Sequence, residues 1–212
     1  MASLRIERYT VGPFATNCYL VWTEPVREAV IIDPGGDAGS IFQALNAGGL
    51  RPAAVLLTHG HVDHVMALPA ILARYDVPVF AHEAEREIIG SVPMQAQLFG
   101  LPPVPQITVT DWIAEGDLIV GEEMHFRVLH TPGHSPGSCC YLLKEEIFVG
   151  DTLFESSVGR TDLPGGDYSL LIRSIREKLF VLPDETVVYP GHGGETTVGR
   201  EKKFNPFLRG AP

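Results

Sequence analysis

Thr58-His59-Gly60-His61-Val62-Asp63-His64 stands directly after an uninterrupted apolar run, residues 53–57, and this junction decides the fold. An apolar run of that length predicts a buried strand, and the polar residues after it predict a loop that leads into a helix. Gly60 lets the backbone turn tightly enough for neighbouring side chains to converge. The junction therefore predicts a strand, loop and helix unit of a layered α/β fold, with functional side chains in the loop.

The loop carries three imidazoles and one carboxylate within six positions, the side chains that bind zinc and similar divalent ions. His59 and His61 are two residues apart, which suits an extended or turn backbone rather than a helix. Asp63 and His64 lie near the start of the next helix. Four ligands that leave the chain in different directions would not all surround one ion, so the spacing suggests two metals that share the loop.

The rest of the N-terminal half supports an α/β fold. Alternation of apolar and polar residues predicts three strands ahead of the loop, and a three-strand meander is their simplest arrangement. Apolar residues at helical spacing predict two helices. The predicted strands cover residues 5–9, 18–22, 29–32, 53–57 and 77–81, and the predicted helices cover residues 40–47 and 65–75.

The C-terminal half is predicted to be rich in strands. Between the short helix predicted at residues 83–89 and Pro105, the pattern predicts no defined element. A longer helix is predicted at residues 168–179, and Thr196 or Thr197 is a candidate N-cap for a last short helix. The predicted strands cover residues 117–120, 125–129, 138–143, 146–149 and 186–189.

Three further candidate ligands follow predicted strands. His134 lies in Thr131-Pro132-Gly133-His134-Ser135-Pro136-Gly137, a rigid loop with a Pro/Gly turn on each side. Asp151 follows the apolar run that ends at Gly150, a pattern that suits a carboxylate reaching into a pocket, where it could bridge two ions. His192 has glycines on both sides, which allow the backbone to approach closely.

Length and composition exclude several classes of protein. The 212 residues suit one domain, and 16 basic against 26 acidic residues give a charge of −10, which disfavours nucleic acid as a partner. The longest apolar stretch, residues 65–73, is nine residues long and contains Pro69, so no membrane span is expected. The first ten residues lack the apolar segment of a secretory signal, and we expect a cytoplasmic protein. The three cysteines are expected to be reduced thiols.

The order HxHxDH, His, Asp, His resembles the metallo-β-lactamase superfamily, whose fold is an αββα sandwich. Within it the sequence is similar to glyoxalase II, and above all to short bacterial glyoxalase II-like proteins. Shared segments are GDTLF (150–154), GRTD (159–162), PGHG (190–193) and NPFL (205–208). The resemblance implies a single domain over residues 1–212, without the C-terminal helical domain with which full-length glyoxalase II binds glutathione.

The resemblance also implies how the metal site is assembled. A hydroxide would bridge two divalent ions, with zinc as the first expectation and iron or manganese as alternatives. Asp63 and Asp151 are the candidate catalytic residues, and Asp33 is expected to support the metal loop by hydrogen bonding. One ion would be held by His59, His61, His134 and Asp151, and the other by Asp63, His64, His192 and the same Asp151.

The function implied is hydrolysis of a small-molecule thioester, such as S-lactoylglutathione, to a 2-hydroxy acid and a free thiol. The alternative is an iron-dependent persulfide dioxygenase, an oxidoreductase on the same fold, and a metal-binding module without catalysis is a third class. Antibiotic-hydrolysing members commonly have cysteine where this chain has Asp151, so β-lactamase activity is not expected. No membrane partner is expected, and the oligomeric state is left open.

Other conspicuous residues receive structural interpretations. His82, His125 and His130 are expected to be ordinary, isolated histidines on or beside strands. Arg160 either contacts an anionic substrate or pairs with Asp162 or Asp167. The tryptophans and phenylalanines are predicted to lie in the core. Basic residues of the tail could bind a thiol carrier or form a solvated face: Arg200, Lys202, Lys203 and Arg209.

Overall fold

The computed structural model describes residues 3–121 and 124–209, and the expected domain of residues 1–212 extends beyond them at both ends. The strands are β1 (Ser3–Val11), β2 (Thr16–Glu24), β3 (Glu28–Ile32), β4 (Arg51–Leu56), β5 (Val79–His82), β6 (Asp111–Ile113), β7 (Gly116–Val120), β8 (Met124–His130), β9 (Cys139–Leu143), β10 (Glu146–Gly150), β11 (Leu153–Phe154), β12 (Ser157–Val158), β13 (Val187–Pro190) and β14 (Thr196–Thr197). The helices are α1 (Ala38–Gly48), α2 (Val62–Val65), α3 (Leu68–Leu72), α4 (Arg86–Gly90), α5 (Val92–Leu98), α6 (Tyr168–Ser174) and α7 (Val198–Phe204).

Within these described ranges, most strands belong to two six-stranded sheets. The first sheet has the order β1-β2-β3-β4-β5-β6, and the second has the order β14-β13-β10-β9-β8-β7. Strands β1 to β3 pair as the antiparallel meander that the sequence predicts. From β3 to β6 the neighbouring strands are parallel, because each connection crosses over through helices.

Apolar layers between and outside the sheets make the fold an αββα sandwich, as expected. Val30 and Ile32 of β3 pack between the sheets against residues such as Phe148. Ile31, on the opposite face of the same strand, packs in the layer that contains Leu45 of α1. A third layer joins α6 to the outer face of the second sheet. Both sheets are therefore covered by helices, which is why strands such as β2 are buried along nearly their whole length.

Three predicted helices are each divided into two elements in the structure. The helix predicted at residues 65–75 is two short helices, α2 and α3, because Pro69 lies in the first turn of α3, where a missing N–H costs nothing. The helix predicted at residues 168–179 is α6 followed by a π-helical turn, Ile175–Leu179. The helix predicted at residues 83–89 is a 3-10 turn (Glu83–Glu85) followed by α4. The region after it contains α5, a helix that the sequence did not predict.

Side-chain burial confirms some predictions and corrects others. All three cysteines are buried and free of disulfides. Trp22 is buried as predicted. Four phenylalanines are wrongly assigned to the core, since they are exposed: Phe14 at 39%, Phe99 at 42%, Phe204 at 50% and Phe207 at 46%. Thr197 is the N-cap of α7, as one of the two predicted candidates, and accepts a hydrogen bond from the N–H of Arg200 at 3.2 Å. None of the helices in the described part of the chain has the length and apolar character needed to span a bilayer.

Candidate metal centre

The candidate ligands all lie just beyond the carboxyl ends of strands. Residues 58–64 follow β4, His134 lies in the loop after β8, and Asp151 comes directly after β10. His192 follows β13, which runs parallel to β10. Parallel strands present their carboxyl ends at one edge, where α/β folds form their ligand-binding crevices. The tertiary structure thus brings together all seven residues that the sequence nominates.

Three histidines form the first group of candidate ligand atoms. Nε2 of His134 lies 3.2 Å from Nε2 of His59 and 2.9 Å from Nδ1 of His61. Two nitrogens bound to one tetrahedral zinc ion at ~2.0–2.1 Å are about 3.3 Å apart. The spacing of these nitrogens therefore fits one divalent ion, and the three residues form a group able to hold one.

Asp63, His64 and His192 form a second group of the same kind. Oδ2 of Asp63 lies 3.3 Å from Nε2 of His192 and 3.5 Å from Nε2 of His64. Asp151 lies between the groups: Oδ1 is 3.4 Å from Nε2 of His64, and Oδ2 is 3.6 Å from Nε2 of both His134 and His192. This arrangement matches the two ligand sets expected from the sequence, with Asp151 common to both.

Two buried atoms at this place have no hydrogen-bond partner among the described residues: Nε2 of His64 and Oδ1 of Asp151. A buried polar atom without a partner costs about 1–3 kcal/mol, so each such atom in a native fold needs an explanation. The two atoms lie 3.4 Å apart. An imidazole nitrogen and a carboxylate oxygen that share an otherwise unsatisfied site are the donor set of a divalent cation, and the residues therefore fit a metal pair.

Hydrogen bonds on the far side of the rings fix their orientation. Oδ2 of Asp33 accepts a hydrogen bond from Nδ1 of His64 at 3.0 Å, which leaves Nε2 to face the site. Asp33 also accepts from the N–H and the hydroxyl of Thr58 at 2.8 and 2.6 Å, so it bonds both to His64 and to the residue before His59. Asp33 adopts a left-handed backbone conformation, φ 51°, a strain that is common at functional sites. Nδ1 of His134 lies 2.7 Å from the carbonyl oxygen of Arg160.

Glu85, which no sequence pattern indicated, is fully buried beside the ligand loops. Its Oε2 accepts from the N–H of Gly60 at 2.8 Å, and its Oε1 accepts from the Ser135 hydroxyl and the Gly137 N–H at 2.5 and 2.6 Å. Glu85 thus connects the loop of His59 and His61 to the loop of His134. No motif surrounds it in the sequence, and Glu83 and Glu87 lie in the same predicted helix, so no local signal distinguishes Glu85 from its acidic neighbours.

Gly191 allows the close approach that the sequence suggested for the segment around His192. A Cβ at position 191 would lie 2.2 Å from Oδ1 of Asp151 and 2.7 Å from Cε1 of His64. Only a residue without a side chain leaves room there for both groups. The backbone of this segment therefore forms part of the wall of the metal centre.

Protonation equilibria favour the metal-binding form of His59, His61 and the two carboxylates, but not of His64 and His192. Burial lowers the pKa of these two imidazoles, yet the adjacent carboxylates outweigh it and raise both, so a metal ion would displace protons there. Burial lowers the pKa of His61 to about 4, and nearby imidazoles add to the effect, while burial also lowers the pKa of His59. Burial raises the pKa of Asp63 and Asp151, but His64 and the other neighbouring imidazoles together outweigh it and hold both below their usual value. Neutral imidazoles and ionised carboxylates are the forms that bind metal.

The metal centre forms part of the lining of a cleft of about 590 Å³. Among the candidate ligands, the side chains that reach it are His61, Asp63, His134, Asp151 and His192. The rest of the lining is mostly apolar and includes Phe14, Met94, Leu98, Phe99, Phe154 and Leu163. A substrate in the cleft would therefore contact the metal centre at one end and apolar side chains around it.

The remaining histidines lie outside the centre, as predicted, but two of them are not isolated. The rings of His82 and His130 stack with centroids 4.0 Å apart and planes at 10°. Arg160 pairs with Asp162 through two contacts of 2.7 Å, whereas Asp167 caps α6 by accepting from the N–H of Leu170. Both side chains of the Arg160 pair are more than half exposed, so the pair itself contributes little stability.

Basic residues of the tail make contacts away from the cleft. Arg200 pairs with Glu155 and Glu201, and Lys202 pairs with Asp184. Arg209 donates to the carbonyl oxygen of Lys203. None of these described residues is among those that line the cleft. The structure therefore favours the solvated-face interpretation of the tail over a thiol-binding one.

Comparison with known proteins is consistent with this geometry. A family profile described as "Metallo-beta-lactamase superfamily" matches residues 11–192. The chain is 41% identical to hydroxyacylglutathione hydrolase GloC of Haemophilus influenzae over 209 residues, which cover 97% of this chain and 98% of that protein.

Two solved structures are also similar. One, described as BLEG-1 B3 metallo-beta-lactamase, is 41% identical with a TM-score of 0.91 and covers 97% of this chain and 100% of its own. The other, described as TTHA1623 in a di-iron-bound form, is 40% identical with a TM-score of 0.87 and covers 95% of this chain and 100% of its own. The second description leaves the identity of the metal open for chains of this kind.

Proposed function

We propose that this chain, which belongs to the metallo-β-lactamase superfamily and is a metallo-hydrolase, hydrolyses thioesters of 2-hydroxy acids such as S-lactoylglutathione. The observation that carries the proposal is the convergence of seven ligand-type side chains in two groups, with Asp151 between them, on the lining of a substrate-sized cleft. The 41% identity to a hydroxyacylglutathione hydrolase supports the choice of a thioester.

The residues of the chain have separate tasks in such a reaction. One ion would be held by His59, His61 and His134, and the other by Asp63, His64 and His192. Asp151 would bind both ions. When bound, such ions lower the pKa of a coordinated water and polarise a substrate carbonyl.

Neighbouring groups keep the ligands in place. Asp33 orients His64, the carbonyl of Arg160 orients His134, and the hydroxyl of Thr16 donates to Oδ2 of Asp63 at 3.1 Å. These contacts fix the rings and carboxylates before substrate arrives, so little reorganisation is needed in the reaction.

The leaving group explains why a thioester suits this site. A thiol has a pKa near ~8.5, so a thiolate departs without the proton that an amine leaving group needs. Among the described residues that line the cleft, the acids are Asp63 and Asp151, and both are candidate ligands. A site that has metal ligands but no separate general acid is therefore adequate for thioester hydrolysis.

β-Lactam hydrolysis is a second candidate function, because a similar structure at 41% identity is described as a B3 metallo-beta-lactamase. Asp151, in place of a cysteine, is the sequence feature that disfavours it. The iron-dependent persulfide dioxygenase also stays an alternative, since a relative at 40% identity is described in a di-iron-bound form.

One set of assays separates these functions. Purified protein, with metal content measured by mass spectrometry, is loaded with zinc or with iron and supplied with S-D-lactoylglutathione, with nitrocefin, and with glutathione persulfide under an oxygen electrode. We expect thioester cleavage without oxygen uptake, lost in Asp151→Asn and retained in the exposed control Asp184→Asn. Oxygen uptake with iron alone, or turnover of nitrocefin with an intact thioester, would overturn the proposal.

A further inference from the structure

Four exposed apolar side chains gather at the cleft of the metal centre. In residues 3–121 and 124–209, nine large apolar side chains are exposed, and four of them line this one cleft. They are Phe14 at 39%, Met94 at 67%, Leu98 at 77% and Phe99 at 42% exposure, and together they form what we call the apolar wall. Exposed apolar side chains that cluster, rather than scatter singly, mark binding surfaces.

The wall is fixed relative to the loop that carries the candidate ligands. Gln95, on the same helix as Met94 and Leu98, accepts from the N–H of Val62 at 2.9 Å and donates to the carbonyl of Gly60 at 3.3 Å. Phe14 lies on the turn between β1 and β2 and contacts Phe99 edge to face, with ring centroids 5.6 Å apart. A substrate group on this wall therefore lies close to the metal centre.

The charges around the cleft do not suit a thioester whose thiol part is strongly anionic. Among the described residues that line it, Arg160 is the one arginine or lysine, and its guanidinium is engaged by both carboxylate oxygens of Asp162. Glutathione carries two carboxylates, and each would need a charge-assisted partner to be recognised. The lining offers few such partners and a large apolar surface.

We infer that the apolar wall binds an apolar substituent of the substrate, so the preferred substrates are thioesters with an aromatic or branched aliphatic group. The inference rests on the proposed thioester hydrolysis and narrows its substrate class. The substituent can belong to the acyl group or to the thiol, because both flank the reacting bond. In an apolar pocket, two substrates that differ by one methylene group differ in kcat/KM by about 10- to 200-fold. A phenyl group in place of a methyl group is therefore expected to raise kcat/KM by at least about tenfold.

The test compares substrates that differ in one group. In the acyl arm, S-mandeloylglutathione replaces the methyl group of S-lactoylglutathione with phenyl. In the thiol arm, the lactoyl thioester of benzyl mercaptan replaces that of glutathione. The double variant Met94→Ser/Leu98→Ser is expected to lose the preference for the apolar substrate, so that kcat/KM for S-mandeloylglutathione falls to within about twofold of that for S-lactoylglutathione in the same variant. Val181→Ser is the matched control, because Val181 is 71% exposed and is not part of the cleft lining.

A binding measurement separates failure of this inference from failure of the proposed function. Calorimetry compares S-benzylglutathione with S-methylglutathione, neither of which can be hydrolysed, and tighter binding of the benzyl compound by about tenfold is expected. Equal affinities together with equal kcat/KM in both arms would overturn the inference and leave thioester hydrolysis standing. Tighter benzyl binding without any thioester turnover would overturn the function alone.

A second copy of the chain is the rival occupant of the wall. Sedimentation of the wild type and of Met94→Ser/Leu98→Ser distinguishes it. An assembly that the double variant dissociates, with no change in substrate preference, would make the wall an interface between copies and overturn the inference.

Discussion

Oε2 of Glu85 accepts a hydrogen bond from the backbone N–H of Gly60 at 2.8 Å, between two candidate ligands of the metal centre. The other carboxylate oxygen holds the loop of His134 through Ser135 and Gly137. Two loops that are far apart in the sequence therefore depend on one buried carboxylate for their relative position.

Replacement of Glu85 by Gln is expected to weaken this connection. The amide nitrogen of Gln cannot accept, so at least one backbone N–H would lose its partner, at a cost of about 1–3 kcal/mol in the free energy of unfolding. Metal affinity should fall as well, because the two ligand loops lose their common anchor. Denaturant unfolding and metal titration measure the two effects.

The control for Glu85→Gln is Glu201→Gln. Glu201 is equally buried, but it accepts its hydrogen bonds from residues away from the metal centre: Thr196, Ser156, Asn205 and Arg200. We expect both variants to lose stability and only Glu85→Gln to lose metal affinity. Equal metal affinity in the two variants would show that Glu85 acts only on stability.

Substitution of Gly191 by Ala tests the close approach of the backbone to the site. The added Cβ would lie 2.2 Å from Oδ1 of Asp151, so the carboxylate must move away from the metal centre. We expect fewer bound metal ions per chain after dialysis, measured by mass spectrometry. Gly194→Ala is the control, because its nearest neighbour, Oε2 of Glu155, would lie at 3.6 Å. Full metal content in Gly191→Ala would contradict the placement of Asp151 as a ligand.

Asp33→Asn is expected to lower metal affinity or activity by about 10- to 100-fold without removing a ligand. The amide would present an N–H toward His64 or Thr58, both of which donate to Asp33 in the native protein. The ring of His64 would then lose the orientation that directs Nε2 at the metal centre. Metal titration with a competing chelator measures the change, and an unaltered affinity would refute the supporting role of Asp33.

His82 gives the protein a predicted pH dependence away from the metal centre. Burial lowers its pKa to about 4, the stacked His130 adds to the effect, and Glu83 and Glu115 act in the opposite direction. An unfolded histidine takes up its proton near pH 6.5, so the unfolded state binds the proton first as the pH falls. The free energy of unfolding therefore does not change with the protonation of His82 above pH 6.5, and it decreases as the pH falls from 6.5 toward 4.

Two measurements check the pH dependence of His82. NMR titration of its imidazole should give a midpoint near 4, and unfolding curves of His82→Asn should lose less stability than the wild type between pH 6.5 and 4. Asn keeps an acceptor for the N–H of Ala84, which His82 Nδ1 accepts at 3.3 Å. A midpoint near 6.5 would rule out the predicted effect.

Much of the fold was predictable because its signals are local. Alternation in β1 to β3 and the apolar run of β4 follow from the burial of sheet faces, and the structure confirms these strands with somewhat longer bounds. The limit of such signals is shown by the predicted helix 65–75, which is α2 and α3 in the structure, and by α5, which was not predicted. Pro69 decides that break, and α5 is stabilised by Gln95 bonding to the metal loop, a contact that no local pattern displays.

The sequence by itself determined which side chains are available to bind metal. Imidazoles and carboxylates follow apolar strands and are flanked by turn residues, and few physical explanations other than metal binding account for that pattern. Only the tertiary structure decided how they group, since Asp151 reaches both histidine sets through contacts between segments far apart in the chain. It also decided the role of Glu85 and the exposure of Phe14 and Phe99. Whether a carboxylate is buried or an aromatic ring is exposed depends on what packs against it, and that is a property of the assembled fold.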